Sequence, residues 1–371
     1  MLGLYSSQNG EKSKQSYLFW TQIQNNMRLL ICLLVLISTS LHGQQSKNYL
    51  IRTIAFYNCE NLFDTENDSL TFDDDRTPEG RYHWTRERLE QKIANLTTVL
   101  SQIGADVSKT SPDVIGLCEV ENRQVVEALV RHPNLSNKGY DVIHFDSPDE
   151  RGIDVALLYK KGSYLPTSFK SHRLLLFDDL GQRKYTRDQL VVGGIMDNEP
   201  IYFLVNHWPS RRGGPAKSEP HRIRAALLNK RIIDSIQDLN PDSKIIAMGD
   251  LNDDPIDKSL KVILKTKGDI AKLDSLSLYN PMEKLFKKGI GSLAYGDKWN
   301  LFDQIFMTPN LVSEHRNTLT FWKAGLFAPS FLKTEKGRFK GYPLRTYSGG
   351  TYTAGYSDHF PAFVYLIKEV N

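Results

Sequence analysis

From residue 51 onward the chain alternates short apolar runs with amphipathic ones, and a polar or charged residue closes most of the apolar runs. The short runs cover 51–58, 113–118, 153–160, 190–195, 201–206, 244–249, 302–307 and 361–367. They are rich in Ile, Val, Leu, Phe and Tyr and bounded by turn formers, which predicts strands. Leu89, Ile93, Leu96, Leu100 and Ile103 recur at three- and four-residue steps, so 85–103 predicts a helix capped by Thr85. Ile223, Leu227, Leu228, Ile232 and Ile236 predict a second helix over 219–239. No linker rich in Pro, Gly or Ser interrupts this alternation, so 44–371 reads as one mixed α/β domain. Long connections are expected at 63–84, 161–186, 255–300 and 325–356, lengths more typical of binding loops than of passive links.

The N-terminus follows a different logic. Residues 29–37 form an apolar run too short for the ~20 residues that span a bilayer. Arg28 precedes it and Ser38, Thr39, Ser40 and Gly43 follow, the pattern of a secretory signal peptide. Residues 1–43 are therefore read as an N-terminal extension plus signal peptide, with Met27 the expected initiator and cleavage near Gly43. A buried core helix and a retained anchor are the alternatives. The expected product is secreted or periplasmic and not an integral membrane protein. Cys32 would leave with the signal, and Cys59 and Cys118 sit inside apolar runs, so buried free thiols are expected rather than a disulfide.

With 47 Lys+Arg against 43 Asp+Glu, a net charge of +4 cannot by itself draw in a polyanion. Local arrangement has to do so. The strand ends carry Asn58 and Glu60, Glu119, His207, and Asp250 with Asn252, and a Ser357-Asp358-His359 triplet comes late. Strand ends in α/β proteins hold side chains rigidly beside open loops. Side-chain alternation puts Asn58 and Glu60 on one face with Cys59 opposite, Cys118 opposite Glu119, and Asp250 with Asn252 across Leu251. Oxygen donors of this kind suit Mg²⁺, which keeps several waters and needs only one or two carboxylates. Glu119 is the leading ligand, with Glu60 and Asp358 next and Asn58 in support. Mn²⁺ and Ca²⁺ are alternatives, and no Cys/His cluster suits structural zinc. Taken singly, Glu119 would read as a helix-start carboxylate and His207 as a structural histidine. The 325–356 connection mixes Lys333, Lys336, Arg338, Lys340 and Arg345 with Phe331, Phe339, Tyr342, Tyr347, Tyr352 and Tyr356. That mixture suits phosphates and bases, or aromatic anchoring of a long loop.

The series Phe56-Tyr57-Asn58-Cys59-Glu60-Asn61-Leu62, Gly116-Leu117-Cys118-Glu119-Val120, Asn206-His207-Trp208, Gly249-Asp250-Leu251-Asn252, Phe302-Asp303-Gln304-Ile305 and Tyr356-Ser357-Asp358-His359-Phe360-Pro361 resembles the endonuclease/exonuclease/phosphatase superfamily. That superfamily includes DNase I-like nucleases, apurinic-site endonucleases, inositol-polyphosphate 5-phosphatases and bacterial sphingomyelinases. The resemblance runs over roughly 50–368 in motif order. It implies a four-layer α/β/β/α sandwich, two mixed β-sheets flanked by helices, with the site at one end of the paired sheets. It also implies that His359 pairs with Asp303; His359 is the candidate general base or electrostatic clamp on phosphate, Asp250 the other candidate base, and Asn252 would hold the water or a phosphate oxygen. His207 would help protonate the leaving group, and Arg151 would contact phosphate. Arg187, Arg211, Arg212 and Arg222 are weaker phosphate candidates, the guanidinium fork being suited to phosphate oxygens.

The function expected from the sequence is a secreted Mg²⁺-dependent phosphodiesterase, a nuclease acting on DNA or RNA without a stable protein partner. Phosphomonoesterase and sphingomyelinase-like phospholipid phosphodiesterase activities are the alternatives, the latter disfavoured because no exposed apolar hairpin is evident. A non-catalytic binding protein on the same scaffold is the third reading.

Overall fold

The structure, a computed structural model, describes residues 7–40, 48–313 and 315–370. It divides into two compact units, Met1–Asn48 with Asn371, and Tyr49–Val370. Within the first, helix α1 (Ser7–Ser40) contains the apolar 29–37 run. The expected cleavage point near Gly43 lies outside the described residues. Among the described residues no helix is long and apolar enough to cross a membrane.

The second unit is built on eleven principal strands. In chain order they are β1 (Asn48–Leu62), β2 (Val114–Val120), β3 (Tyr140–His144), β4 (Asp154–Lys160), β5 (Tyr164–His172), β6 (Gln189–Met196), β7 (Glu199–His207), β8 (Lys244–Asp250), β9 (Asp303–Met307), β10 (Thr320–Leu326) and β11 (Ala362–Val370). One sheet has the order β10-β11-β1-β2-β4-β3. The other runs from the short strands Thr266–Lys267 and Leu278–Tyr279 through β9-β8-β7-β6 to β5. Both mix parallel and antiparallel pairs: β1 runs parallel to β2 and β7 to β8, while β2 is antiparallel to β4 and β8 to β9.

Alternation along the strands sorts apolar side chains into layers. Ile54, Phe56, Leu157, Val192, Phe203, Val205, Ile246, Met248, Ile305 and Val364 meet between the two sheets. Ala55, Tyr57, Ile115 and Leu117 face the other way, against Ile93, Leu96 and Leu100 of α2 (Arg86–Leu100) and Val126 and Leu129 of α3 (Arg123–Arg131). On the far side Leu204, Ile245, Ala247 and Phe306 pack on Ala225, Ala226, Ile232 and Ile233 of α4 (Pro215–Leu239). This is the expected four-layer α/β/β/α sandwich. Gly116 sets how closely the sheets approach, because a Cβ there would lie 2.6 Å from Met248 Sδ.

Three expectations change. Segment 161–186 is not an open connection: it holds the edge strand β5 and a hairpin of Leu176–Phe177 with Arg183–Lys184. Strand β5 escapes the pattern because its side chains are largely exposed and it carries Pro166, as edge strands do. That hairpin leaves Leu175, Phe177, Leu180 and Tyr185 half or more exposed, so an exposed apolar hairpin does exist. Helix α4 starts at Pro215, four residues earlier than expected, since proline is accommodated in a helix's first turn. In the 325–356 connection the aromatics anchor the chain. Phe331 and Tyr356 pack on the α2–α3 layer, Tyr347 and Tyr352 on Phe63, Trp84 and Ile153, and Tyr342 on Trp299.

Candidate active site

Register brings the motifs together. Asp250 ends β8 directly opposite His207 on β7 and Asp303 on β9. Gly249 makes this fit, because a Cβ there would sit 2.4 Å from the Asn206 carbonyl oxygen. From the other sheet Asn58 extends its Nδ2 to Asp250 Oδ2 at 3.1 Å. Ser357 ties the late triplet to β1 by donating to the Asn58 carbonyl at 2.8 Å, and the His359 amide donates to Ser357 Oγ at 3.1 Å. Four non-glycine residues here adopt left-handed backbone, Glu60, Asn61, Glu119 and Asn252, with φ of 48°, 60°, 57° and 51°. Each costs about 1–2 kcal/mol, and together they turn side chains away from simple strand alternation.

That turning overturns one parity expectation. Asn58 faces Asp250 between the sheets, but Glu60 reaches the α2 side. There its Oε2 accepts from the Thr346 amide at 2.6 Å and lies 3.7 Å from Lys92 Nζ, while its Oε1 faces Arg345 Nε at 3.4 Å. Arg345 also holds Asp358 at 2.5 Å. Burial first, then Asp358, raises the Glu60 pKa against Lys92, the Thr346 amide and Arg345. Two of the expected metal ligands are thus neutralised by side-chain cations. The Asn58 carboxamide oxygen is likewise engaged, accepting from the Glu60 amide at 2.8 Å. Cys59 faces α2 and Cys118 lies between the sheets, so the two buried thiols sit on opposite faces and remain free.

Glu119 is different. Its Oε2 accepts from the Asn61 amide at 3.0 Å, but among the described residues Oε1 meets no donor within hydrogen-bond range, with His207 Nε2 at 3.8 Å and Arg151 at 3.9 Å. An open carboxylate oxygen at a cleft wall fits a hard divalent cation that retains its waters. A separate grouping, His144, Asp146 and Asp154, brings ligand atoms within 4.8 Å of one another. The two His144 nitrogens face different carboxylates, and Asp154 accepts from Ser147, so this group secures the start of the 145–153 loop.

The two histidines are driven in opposite directions. His359 Nδ1 lies 2.6 Å from Asp303 Oδ2, with both side chains buried. Burial alone would lower the His359 pKa, but Asp303, Asp250 and Asp358 outweigh it and raise it well above the usual value. His207 is pushed well below the usual value by burial and then by Arg187, Arg151 and His359. These influences favour the neutral imidazole over the imidazolium that proton donation to a leaving group uses. Its Nε2 lies 3.7 Å from Asp250 Oδ2. Burial, with Asp303 and Glu119, raises Asp250 to about 7, against the lowering effects of His359 and the Asn252 amide.

Trp208, fully buried, organises the rest. Its amide donates to the Asp250 carbonyl at 2.9 Å, and its own carbonyl accepts from Asn252 Nδ2 at 3.0 Å and Arg187 at 2.9 Å. Arg187 also pairs with Asp149 at 2.9 Å. Arg211 donates to the Asn252 carbonyl at 2.9 Å and to Asp257 at 2.7 Å. Arg222 is buried against Asp253 at 2.5 Å. These three arginines already have internal partners and help position the site, and Arg187 also lines the cleft. Arg151 and Arg212 remain open, lining a cleft of about 760 Å³ that also receives Glu119, His207, Asp250 and His359. Sequence reasoning missed Lys92, although a lysine between Leu89 and Leu96 on the apolar stripe of α2 was the available signal.

A model of the endonuclease/exonuclease/phosphatase family matches residues 53–368. A search of curated proteins found no significant match. Among solved structures, a humanized D. rerio TDP2 carrying 14 mutations aligns with a TM-score of 0.51 at 14% identity, covering 85% of this chain and 98% of that one. An endonuclease/exonuclease/phosphatase family protein from Bacteroides thetaiotaomicron aligns at 0.50 and 17% identity, covering 88% and 98%. D. rerio TDP2 complexed with a single-strand DNA product aligns at 0.50 and 14% identity, covering 85% and 98%.

Proposed function

The chain belongs to the endonuclease/exonuclease/phosphatase family and is a metal-dependent phosphoric ester hydrolase; on that premise we propose that it is an exported Mg²⁺-dependent nuclease that cleaves phosphodiester bonds in DNA or RNA. The observation that carries this reading is the cleft itself. Besides Glu119, His207, Asp250 and His359 its lining carries Arg151, Lys184, Arg212, Lys217 and Arg224 as cations for phosphate oxygens, with Asp149, Glu150, Asp178 and Asp179 among them, so phosphates would be held at particular arginines and lysines rather than along a uniformly basic wall. The DNA product bound by D. rerio TDP2 supports the same substrate class.

A divalent cation at Glu119 would supply Lewis-acid charge to a phosphate oxygen. The chain's own groups do the remainder. The His359 imidazolium, fixed by Asp303, presents Nε2 toward Asp250 and Asp358, where it stabilises charge on the non-bridging oxygens. Asp250, with a pKa of about 7, takes the proton of the attacking water. Asn58 and the Asn252 amide hold its two oxygens at 3.1 and 3.0 Å. Neutral His207 donates a hydrogen bond to the leaving oxygen. Arg151 and Arg212 hold flanking phosphates.

A second reading, phospholipid phosphodiesterase, is favoured by one observation. The apolar hairpin displays Leu175, Phe177 and Tyr185 at the cleft and Leu180 at its tip, where they could enter a lipid surface. Incubation of the protein with plasmid DNA, RNA, sphingomyelin vesicles and a phosphomonoester separates the readings. The proposal expects chelator-sensitive cleavage of nucleic acid that weakens steeply with salt. Turnover of vesicles alone would overturn it in favour of the lipid reading. Export rests on Arg28 and the 29–37 run. N-terminal sequencing of protein recovered outside the cytoplasm should begin near residue 44, and an intact residue 27 there would contradict it.

A further inference from the structure

On the other flank of Glu60 and Asp358 lies a second pocket of about 240 Å³. Arg76, in the one-turn helix Asp74–Arg76, forms one wall. Its guanidinium is held by rings rather than acids, lying 4.1 Å from the Tyr82 centroid, 5.8 Å from Tyr347 and 5.9 Å from Phe63. The rings are themselves fixed. Tyr82 and Tyr347 meet edge to face at 4.9 Å, and the Tyr347 hydroxyl donates to the Tyr82 carbonyl at 2.8 Å. Glu60 and Glu119 act on the charge of Arg76 from a distance, but no carboxylate among the described residues is within ion-pair range of it. Arg345, the other arginine in the pocket, is consumed by Glu60 and Asp358. Opposite, Gly349 and Gly350 leave open space where side chains would stand.

An arginine oriented by aromatic faces, lacking an acidic partner and opening into a small pocket beside the reacting centre, is prepared for an anion. We propose that this pocket is a substrate subsite in which Arg76 binds a second, non-scissile phosphate of the same substrate. The scissile group then sits between this pocket and the large cleft, since Glu60, Asn61 and Asp358 line the one while Glu119, bonded to the Asn61 amide, and His359 line the other. This inference rests on the phosphodiester reading above and adds a preference for substrates carrying a phosphate beyond the one cleaved.

Two esters test it: the p-nitrophenyl ester of thymidine 5′-phosphate with a free 3′-hydroxyl, and the same ester carrying a 3′-phosphate. The native protein should favour the 3′-phosphorylated ester by about tenfold or more in kcat/KM, mainly through KM, the size of one charge-assisted hydrogen bond. Arg76→Met, which keeps the stem against Tyr82, should bring that ratio near one, and Arg76→Lys should restore part of it. Calorimetry of both esters in an Asp250→Asn background with Mg²⁺ reads the same ratio without turnover. A preference that survives in Arg76→Met, or no preference in the Asp250→Asn protein, overturns the subsite. Preferential binding without turnover of either ester by the native protein would instead defeat the phosphodiester reading and leave the subsite standing.

Discussion

Replacing Asp303 by Asn tests the electrostatic heart of the site. The Asp303 carboxylate lies 2.6 Å from His359 Nδ1, both groups are buried, and it is the largest influence raising the imidazole pKa against burial. Removing one partner of such a pair costs about 3–5 kcal/mol and takes away the strongest influence holding the His359 pKa up against burial. Asp250 and Asp358 remain and soften the fall, so the His359 pKa in the variant should lie below its native value. The ring would then be less firmly oriented and more readily neutralised as pH rises. Loss of an orienting carboxylate in comparable acid–base pairs costs up to about 10⁴-fold in kcat. We expect a 10²- to 10⁴-fold fall in phosphodiester hydrolysis at pH 7, with the deficit relative to the native protein at the same pH shrinking as pH falls. Side-chain ¹⁵N NMR should show His359 retaining its imidazolium form to a higher pH in the native protein than in the variant. Stability carries the same signature. Because the folded pKa is raised, this pair's contribution is full below about 6.5 and disappears as pH rises through the raised value. Asp303→Asn should therefore destabilise the protein more at pH 6 than at pH 10. An ordinary His359 titration in the native protein, or full activity in the variant, would show that Asp303 does not hold the imidazolium in place.

With Asp250 near 7 and His359 cationic throughout, kcat/KM should rise about tenfold per unit below that value and level off above it; a rate independent of pH from 5 to 8 would remove Asp250 as base. Glu119→Gln should weaken Mg²⁺ binding at least tenfold by calorimetry, whereas unchanged affinity would place the cation elsewhere. Lys92→Met should lower stability by about 3 kcal/mol, because Glu60 loses a buried countercharge, and a denaturant melt within about 0.5 kcal/mol of native would show the lysine to be dispensable. Cys59, raised to about 12 chiefly by burial, and Cys118 should resist iodoacetamide until the protein unfolds.

The strands that position the site were legible because each is buried on both faces and ends in a polar residue, as in 201–206 before His207 and 244–249 before Asp250. Strands β5 and β10 were not, since largely exposed or half-exposed side chains leave no continuous apolar run. The pairing of His359 with Asp303 followed from family resemblance, whereas the opposite charge states of His359 and His207 did not, because they depend on which carboxylates and arginines the fold brings near each ring. Glu60 shows the limit of alternation most clearly. One left-handed residue moves its carboxylate from the expected shared face to Lys92 and Arg345, partners 32 and 285 residues away in sequence. Arg187, Arg211 and Arg222 looked like phosphate ligands because sequence cannot show which guanidinium has already met an internal carboxylate.

The most direct test of the central claim is the initial rate of bis(p-nitrophenyl) phosphate hydrolysis for the native protein and His359→Ala, each with Mg²⁺ and with chelator. The account predicts turnover by the native protein that chelator abolishes and Mg²⁺ restores, and a loss of at least 10²-fold in His359→Ala at unchanged melting temperature. Equal rates with and without His359, or no metal-dependent hydrolysis by the native protein, would contradict it.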